Sequence, residues 1–438
     1  MARVMMGKLT SVLVIEGPDL SLDAALTEAG LVVRRVPGAP TESELISLLH
    51  ETGAHAIFKR SRAPVTRAVI EACPELFAIQ LCCIGDDSVD KQAAADHGVL
   101  VFNDPISNAR SVVELVISHV IALARRMYET DAACRAGVWD KTNEGRYEVK
   151  GKVLGVLGLG NIGRQVARAA EAMGMQIRFY DSRYAATEVG IEFGWDEASS
   201  MEDLFRRSDF VTAHLSARDA GGHSNDGVLT RELMAQLGAE RGAQSPRIFL
   251  NLSRGFLHDP TDLKALIDDG TIRRAAVDVF PEEPRGAEAW ENPYKDHPQV
   301  VVSPHIGAST QEAQPRIARR VARTFLRFSH YGSVRDMVFG PKVKLGLVEH
   351  GGEGKVLLCV AHSTDRGTKR AIDEVIYQAG ASNLSSVHKD FEDLGVAYDL
   401  AAIDRPLSEG EIRALVGSAA DVTGDPQAIR SVRQIALS

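Results

Sequence analysis

Three short segments of this 438-residue chain end in side chains suited to acid–base work on an anion. They are NLSRG (Asn251 to Gly255), AVDVFPEEP (Ala276 to Pro284) and SPHIGAST (Ser303 to Thr310), and each contains or follows an apolar run that reads as a strand. Arg254, Glu283 and His305 therefore fall just past the carboxyl ends of strands, where open α/β sheets bind ligands. A guanidinium can grip a carboxylate or carbonyl with two parallel hydrogen bonds. An imidazole near its neutral point can give or take the proton that accompanies hydride transfer. A carboxylate beside it fixes the ring and favours its charged form, which raises its pKa. Singly, these residues could be a helix-capping arginine, a solvated acidic loop and a core histidine. Together they match what reversible oxidation of an α-hydroxy acid requires.

Such a reaction needs a hydride acceptor, and one stretch supplies a cradle for it. Val153 to Asp181 reads VLGVLGLGNIGRQVARAAEAMGMQIRFYD. Gly158, Gly160 and Gly163 follow a strand directly and open a helix, and the next strand ends in Asp181. The first glycine permits a tight turn, the second lets a pyrophosphate approach the backbone, and the third lets helix and strand pack closely. The helix N-terminus presents free N–H groups and the positive end of its dipole to phosphate. Asp181 is placed to accept hydrogen bonds from both ribose hydroxyls and to repel a 2′-phosphate, which favours NAD over NADP; Arg183 nearby softens that preference.

The elements that must position these residues alternate along the chain. SVLVIEG, HAIFKR and LFAIQLCC read as strands, with LDAALTEAGL and TESELISLLHETG as helices between them. This first block, residues 1–105, reads as a smaller flavodoxin-like α/β domain. SNARSVVELVISHVIALARRM then offers Ser111 and Glu114 as a capping box opening a long helix, apolar on most faces and fit for a domain boundary or subunit interface. From Val153 the strands VLGVL, IRFYD, FVTAH, RIFLN, AAVDVF and VVVS alternate with helices. That pattern predicts a Rossmann-like doubly wound parallel sheet over 106–308. The helix TQEAQPRIARRVARTFLRFSHYG follows, and 309–335 is expected to complete the first domain. EHGGEGK is a glycine-rich break before a different tail.

Composition bounds the function. A net charge of -9 argues against nucleic-acid binding, and no apolar run is long enough for a membrane span. The five cysteines form no C-x-x-C pair, as expected of a reducing cytoplasm. No metal site is expected.

The motifs in order, KRSR (Lys59 to Arg62), CIG (Cys83 to Gly85), VFNDPISNARSVVELVI, GVWDK, the glycine loop with Asp181, NLSRG, DVFPEEP and SPHIGASTQEAQ, resemble the D-isomer-specific 2-hydroxyacid dehydrogenase family. The likeness covers about residues 10–335. It implies that Arg254 binds substrate, that Glu283 rather than Glu282 orients the histidine, because the family's acid directly precedes proline, and that His305 is the proton donor or acceptor. It also implies cofactor contacts from Asn161, Ile162, Leu252, Ser253, Asp278, Ile306, Gly307 and Ala308, with Asp278 on the nicotinamide carboxamide. Arg60, Ser61, Arg62 and Lys141 would meet a substrate phosphate, Ile84 and Gly85 would offer backbone N–H groups to its carboxylate, and Asn108 would line the pocket. From charge alone KRSR reads first as a solvated face, and the resemblance is what turns it toward phosphate. The implied substrate is a small phosphorylated 2-hydroxy acid, with the cofactor on one lobe and most of the substrate cluster on the other.

The tail over 350–438 reads as strand, helix, strand, strand, helix, strand, and resembles an ACT-type domain with a regulatory or dimerising role. Serine-binding versions carry an N-x-P-G turn after the first strand; here the residues are His362 to Gly367, HSTDRG. An effector is therefore left open. Other members of the family, acting on hydroxypyruvate, glyoxylate or erythronate 4-phosphate, and a non-enzymatic NAD-sensing branch, stand as alternatives. A homodimer or homotetramer is expected. The segments HLSARDAGGHSND and LGAERGAQSPR are longer than the resemblance accounts for.

Overall fold

Two of the three sheets are wholly parallel in the computed structural model, which describes residues 8–219, 223–284, 289–332, 334, 336–338 and 354–437. The chain divides into two units, 1–107 together with 314–438, and 108–313.

The first unit holds a five-stranded sheet of β1 (Ser11–Val14), β2 (Val32–Arg35), β3 (Ala56–Lys59), β4 (Ala78–Leu81) and β5 (Leu100–Phe102), in the order β2-β1-β3-β4-β5. β3 and β4 are buried at every residue, as their near-continuous apolar sequences require. β2 and β5 do not stand out in the sequence. β2 is an edge strand, VVRR, with no buried residue, and β5 has only three residues. The helix Glu42–Thr52 begins as its sequence dictates: Thr41 and Glu44 form a capping box, and Gly53 closes it at φ 54°. The chain returns to this sheet through the helix Ala313–Tyr331, whose Phe325 meets Phe58 edge-on at 5.1 Å and whose Phe328 stacks on Phe77 at 5.6 Å.

The second unit is built on seven parallel strands: β6 (Val153–Leu157), β7 (Gln176–Tyr180), β8 (Asp196–Glu197), β9 (Phe210–Ala213), β10 (Ile248–Asn251), β11 (Arg274–Val277) and β12 (Val300–Val302). The order β8-β7-β6-β9-β10-β11-β12 reverses direction between β6 and β9, so the ligand crevice lies beyond their carboxyl ends. Six of these strands are the six expected. The seventh, β8, is two exposed residues and carries no apolar signal. The long helix expected over 107–127 needs two corrections. It runs Ala109–Ala124, and Arg126 at φ 58° breaks it before a second helix, Met127–Arg135. Ser111 and Glu114 form no capping box, because the helix has already begun there. Ser111 bonds Thr310 across the unit at 2.9 Å, Glu114 pairs with Arg110 along the helix, and Asp104 caps the preceding turn at the Ile106 and Ser107 N–H groups. Of the two longer segments, 220–222 lies outside the described residues. Around it, Ser224 bridges Arg218 in a short antiparallel pair.

The C-terminal strands β13 (Val356–His362), β14 (Asn383–Phe391), β15 (Val396–Ile403) and β16 (Ile429–Ala436) form an antiparallel sheet in the order β14-β15-β13-β16, covered on one face by the helices Thr368–Gln378 and Glu409–Thr423. The glycine-rich break lies outside the described residues up to Gly354. Within the first unit this domain meets the end of the helix Lys91–Asp96. The Tyr398 hydroxyl donates to the carbonyls of Ala94 and Ala95. Buried Arg433 donates to the Leu76 and His97 carbonyls and lies 5.3 Å from the Phe77 ring centre. Among the described residues no helix is long and apolar enough to cross a membrane.

Candidate active site

β10, β11 and β12 deliver the three segments that bear Arg254, Glu283 and His305. After β10, the Asn251 side chain organises the loop: its oxygen accepts from the Ser253 N–H and hydroxyl, and its amide donates to the Arg254 carbonyl at 2.9 Å. Gly255 then passes so close to Phe280 that a Cβ there would lie 2.0 Å from its carbonyl carbon. The loop bearing Arg254 is thereby locked to the segment that leads to Glu283.

Asp278, buried at the end of β11, holds the third segment. One carboxylate oxygen accepts from the Ser303 hydroxyl and the Ile306 N–H, and the other from the Gly307 N–H at 2.8 Å. The His305 N–H is bound to the Asp278 carbonyl at 2.8 Å, in a turn that forces His305 to φ 53°. Asp278 is thus fully engaged in shaping the His305 turn, and a carboxamide contact would have to share those oxygens. Its neighbours Ile306, exposed, and Ala308 complete the turn.

Out of this turn His305 reaches Glu283, with Nδ1 2.8 Å from the Glu283 carboxylate. Glu283, rather than Glu282, makes that contact, and its other oxygen accepts from the Phe280 N–H. Because Nδ1 faces the carboxylate, Nε2 is the ring atom left for exchanging a proton with a ligand. The hydrogen bond to Glu283 raises the His305 pKa above the ordinary imidazole value; burial opposes this, and the charges of Glu283 and Asp278 add to it. Burial alone would raise the Glu283 carboxyl, but the His305 hydrogen bond and charge hold it below its usual value.

The glycine loop divides its labour as the spacing predicts. Gly158 sits at φ 92°, and a Cβ there would be 2.7 Å from the His214 carbonyl oxygen. At Gly163 a Cβ would be 2.0 Å from the Gly158 oxygen. Both glycines are demanded by the protein's own packing. Gly160 is not: a Cβ there meets only the tip of Arg183, at 3.6 Å. The open space over Gly160 suits the approach of a pyrophosphate to the N-terminus of the helix Gly163–Ala172, and the residues here fit a dinucleotide. Asn161 and Ile162 form the turn into that helix. Asp181 is 4% exposed at its side chain, accepts from the Leu159 N–H at 2.7 Å, and is gripped through both oxygens by Arg183. Leu252 packs into the apolar cluster beneath the sheet.

The residues expected to hold substrate fall in both units. In the first, Arg60, Ser61 and Arg62 follow β3 with Ser61 and Arg62 exposed, while Lys59 departs from the rest of its motif. It is wholly buried, donates to Ser88 and the Arg60 carbonyl, and lies 3.6 Å from Glu16. Burial lowers its pKa, an effect that Glu16 opposes. Glu16, which no motif singles out, also accepts from the N–H groups of Arg62 and Ala63 at 3.0 and 2.6 Å. One buried carboxylate therefore fixes the loop that displays the two arginines. After β4, the Ile84 carbonyl is tied to the Asn103 amide at 2.8 Å, orienting the Ile84–Gly85 peptide. In the second unit, Asn108 is buried and its side-chain oxygen has no hydrogen-bond partner among the described residues, whereas Lys141 is exposed beside Trp139.

Residues 117–307 match the model for the NAD binding domain of D-isomer specific 2-hydroxyacid dehydrogenases. The chain is 36% identical over 327 residues to D-3-phosphoglycerate dehydrogenase of Haemophilus influenzae, covering 74% of this chain and 75% of the relative. It belongs to the D-isomer-specific 2-hydroxyacid dehydrogenase family. D-3-phosphoglycerate dehydrogenase of Escherichia coli K12 is 33% identical over 408 residues, which span 92% of this chain and 94% of that one. A glyoxylate reductase from Paecilomyes thermophila shares the fold, with a TM-score of 0.64 at 23% identity over 75% of this chain and 98% of that one. As a member of the family the chain is an NAD-dependent dehydrogenase, and the His305–Glu283 pair lies in the domain that the family model describes.

Proposed function

We propose that the protein oxidises 3-phospho-D-glycerate to 3-phosphohydroxypyruvate with NAD, the entry step of serine synthesis. The observation that carries this reading is likeness to D-3-phosphoglycerate dehydrogenases that extends over nearly the whole chain, C-terminal domain included. The exposed arginine loop behind β3 supports it, since a phosphate dianion is recognised best by charged hydrogen bonds.

In the oxidative direction His305 Nε2 takes the proton of the 2-hydroxyl, and Glu283 stabilises the imidazolium that forms. Arg254 holds the carboxylate next to the reacting carbon. When bound, NAD would supply the hydride acceptor, held by Gly158 to Gly163 and Asp181. In the reductive direction the same imidazolium returns its proton to the carbonyl oxygen. By the family resemblance Arg60, Ser61, Arg62 and Lys141 serve the phosphate, the N–H groups of Ile84 and Gly85 serve the carboxylate, and Asn108 serves the substrate.

The C-terminal sheet takes a regulatory or dimerising role in this reading. Trp139 and Val138, at 84% and 53% exposure, support a subunit contact in a homo-oligomer, which sedimentation of the full chain tests. The substrate is tested by following NADH oxidation with 3-phosphohydroxypyruvate, hydroxypyruvate and 2-oxoglutarate, for the wild type and Arg60→Ala. The phosphorylated acid is expected to be preferred, and the variant to lose roughly 10- to 100-fold in kcat/KM for that acid alone, from 1.5–3 kcal/mol per charged hydrogen bond. Equal use of all three acids, or a variant indifferent to phosphate, contradicts the reading.

A further inference from the structure

On the helix-covered face of the C-terminal sheet, past its apolar core, three metal-ligating side chains converge. His388 and Asp399 stand directly opposite each other on β14 and β15, and His362 ends β13, with its ring 5.3 Å from that of His388. One nitrogen or oxygen from each lies within 4.8 Å of the others. The hydrogen bonds around the cluster decide how its lone pairs point. His362 Nδ1 lies 2.6 Å from the Ser363 carbonyl, which can only accept, so Nδ1 carries the proton. Nε2 is left as a bare lone pair, in a residue 2% exposed, with no partner among the described residues. His388 Nε2 similarly faces the Asp390 carboxylate at 3.1 Å, while its Nδ1 points inward to Asp399 at 3.4 Å. Asp399 is 1% exposed, and its Oδ1 also lacks a partner. Each histidine thus commits one nitrogen to a neighbouring acceptor and leaves the other available as a donor, the pattern that orients histidines around a metal.

We propose that His362, His388 and Asp399 form a binding site for a divalent late transition metal of the zinc or cobalt class, with a fourth position open to solvent or a small ligand. Two imidazoles and one carboxylate are the donor set that such ions select, while magnesium and calcium prefer oxygen donors alone. One cation already touches the cluster: the Lys369 ammonium lies 3.2 Å from Asp399 Oδ2 and 2.5 Å from Asp373. Asp373 gives that ammonium an alternative partner, so the metal replaces one of its two contacts and leaves the other.

The test is a cobalt(II) titration of the untagged, chelator-treated full chain, followed by its visible absorption, for wild type, His388→Gln and Asp399→Asn. His388 is on an exposed edge strand, so its replacement spares the core; circular dichroism checks the fold of both variants. One equivalent of cobalt is expected to bind the wild type with the intense bands of a low-coordinate site, and each variant is expected to bind at least about 10-fold more weakly, since even outer-sphere changes cost that much. A wild-type chain that takes up no stoichiometric cobalt overturns the proposal, as does undiminished binding in both variants.

Discussion

In the proposed reaction His305 Nδ1 and the Glu283 carboxylate, 2.8 Å apart, would set the pH dependence of each direction. The Glu283 hydrogen bond favours the imidazolium, so the folded-state pKa lies above the unfolded one. The stability this brings is present below the unfolded pKa and is lost as pH rises through the raised value. Oxidation needs the neutral ring, and its rate climbs only as pH rises through that same value. Glu283→Gln keeps a hydrogen-bond acceptor but removes the charge. It is expected to move the acid limb of the oxidation profile, and the alkaline limb of the reduction profile, to lower pH, and to lower kcat by roughly 10- to 100-fold, since general acid–base catalysis is worth 10²–10⁴. Unmoved limbs in kcat/KM profiles would count against the assigned pairing. The trio was legible because arginine, acid and histidine each follow a strand, which the alternation of apolar runs makes visible. Asn251, which shapes the Arg254 loop through its side chain, was less so, because an Asx turn leaves no signal beyond a common residue type.

At the scale of elements, the glycine loop and the β3 loop make opposite predictions about fold and function. Gly160→Ala adds a methyl where only the Arg183 tip is near. The free protein's melting temperature is expected to be unchanged, while NADH binding, read by fluorescence, weakens by about 10-fold or more, within the 1–3 kcal/mol that overpacking costs. Gly163→Ala is expected to lower the melting temperature as well, because its Cβ collides with the Gly158 carbonyl. Glu16→Ala strands the buried Lys59 ammonium and is expected to cost about 3–5 kcal/mol in chemical denaturation. Lys59 read as part of an exposed basic run because a charge run gives no sign of which member has a buried partner, and Glu16 is 43 positions away. β2 and β8 escaped notice for a simpler reason: edge strands face solvent and need no apolar pattern. Ser111 and Glu114 spelled a capping box at the right spacing, but a spacing cannot tell a helix start from the first turns of a helix that began two residues earlier.

Across the whole molecule, the C-terminal domain is tied to the first sheet by buried polar contacts whose distance along the chain put them beyond any reading of local pattern. Arg433 serves two carbonyls more than 330 positions away. Arg433→Met removes both charged hydrogen bonds, at about 1.5–3 kcal/mol each, and hydrogen exchange in Lys91–Asp96 and β16 is expected to rise. Unchanged exchange would mean that this arginine does not hold the two together. The proposed reaction depends on the imidazole of residue 305, and single-turnover NADH oxidation by 3-phosphohydroxypyruvate tests that directly in wild type and His305→Gln. The variant is expected to bind NADH as the wild type does and to react roughly 10²- to 10⁴-fold more slowly. A variant that oxidises NADH at the wild-type rate, or a wild type that does not oxidise it at all, contradicts the account.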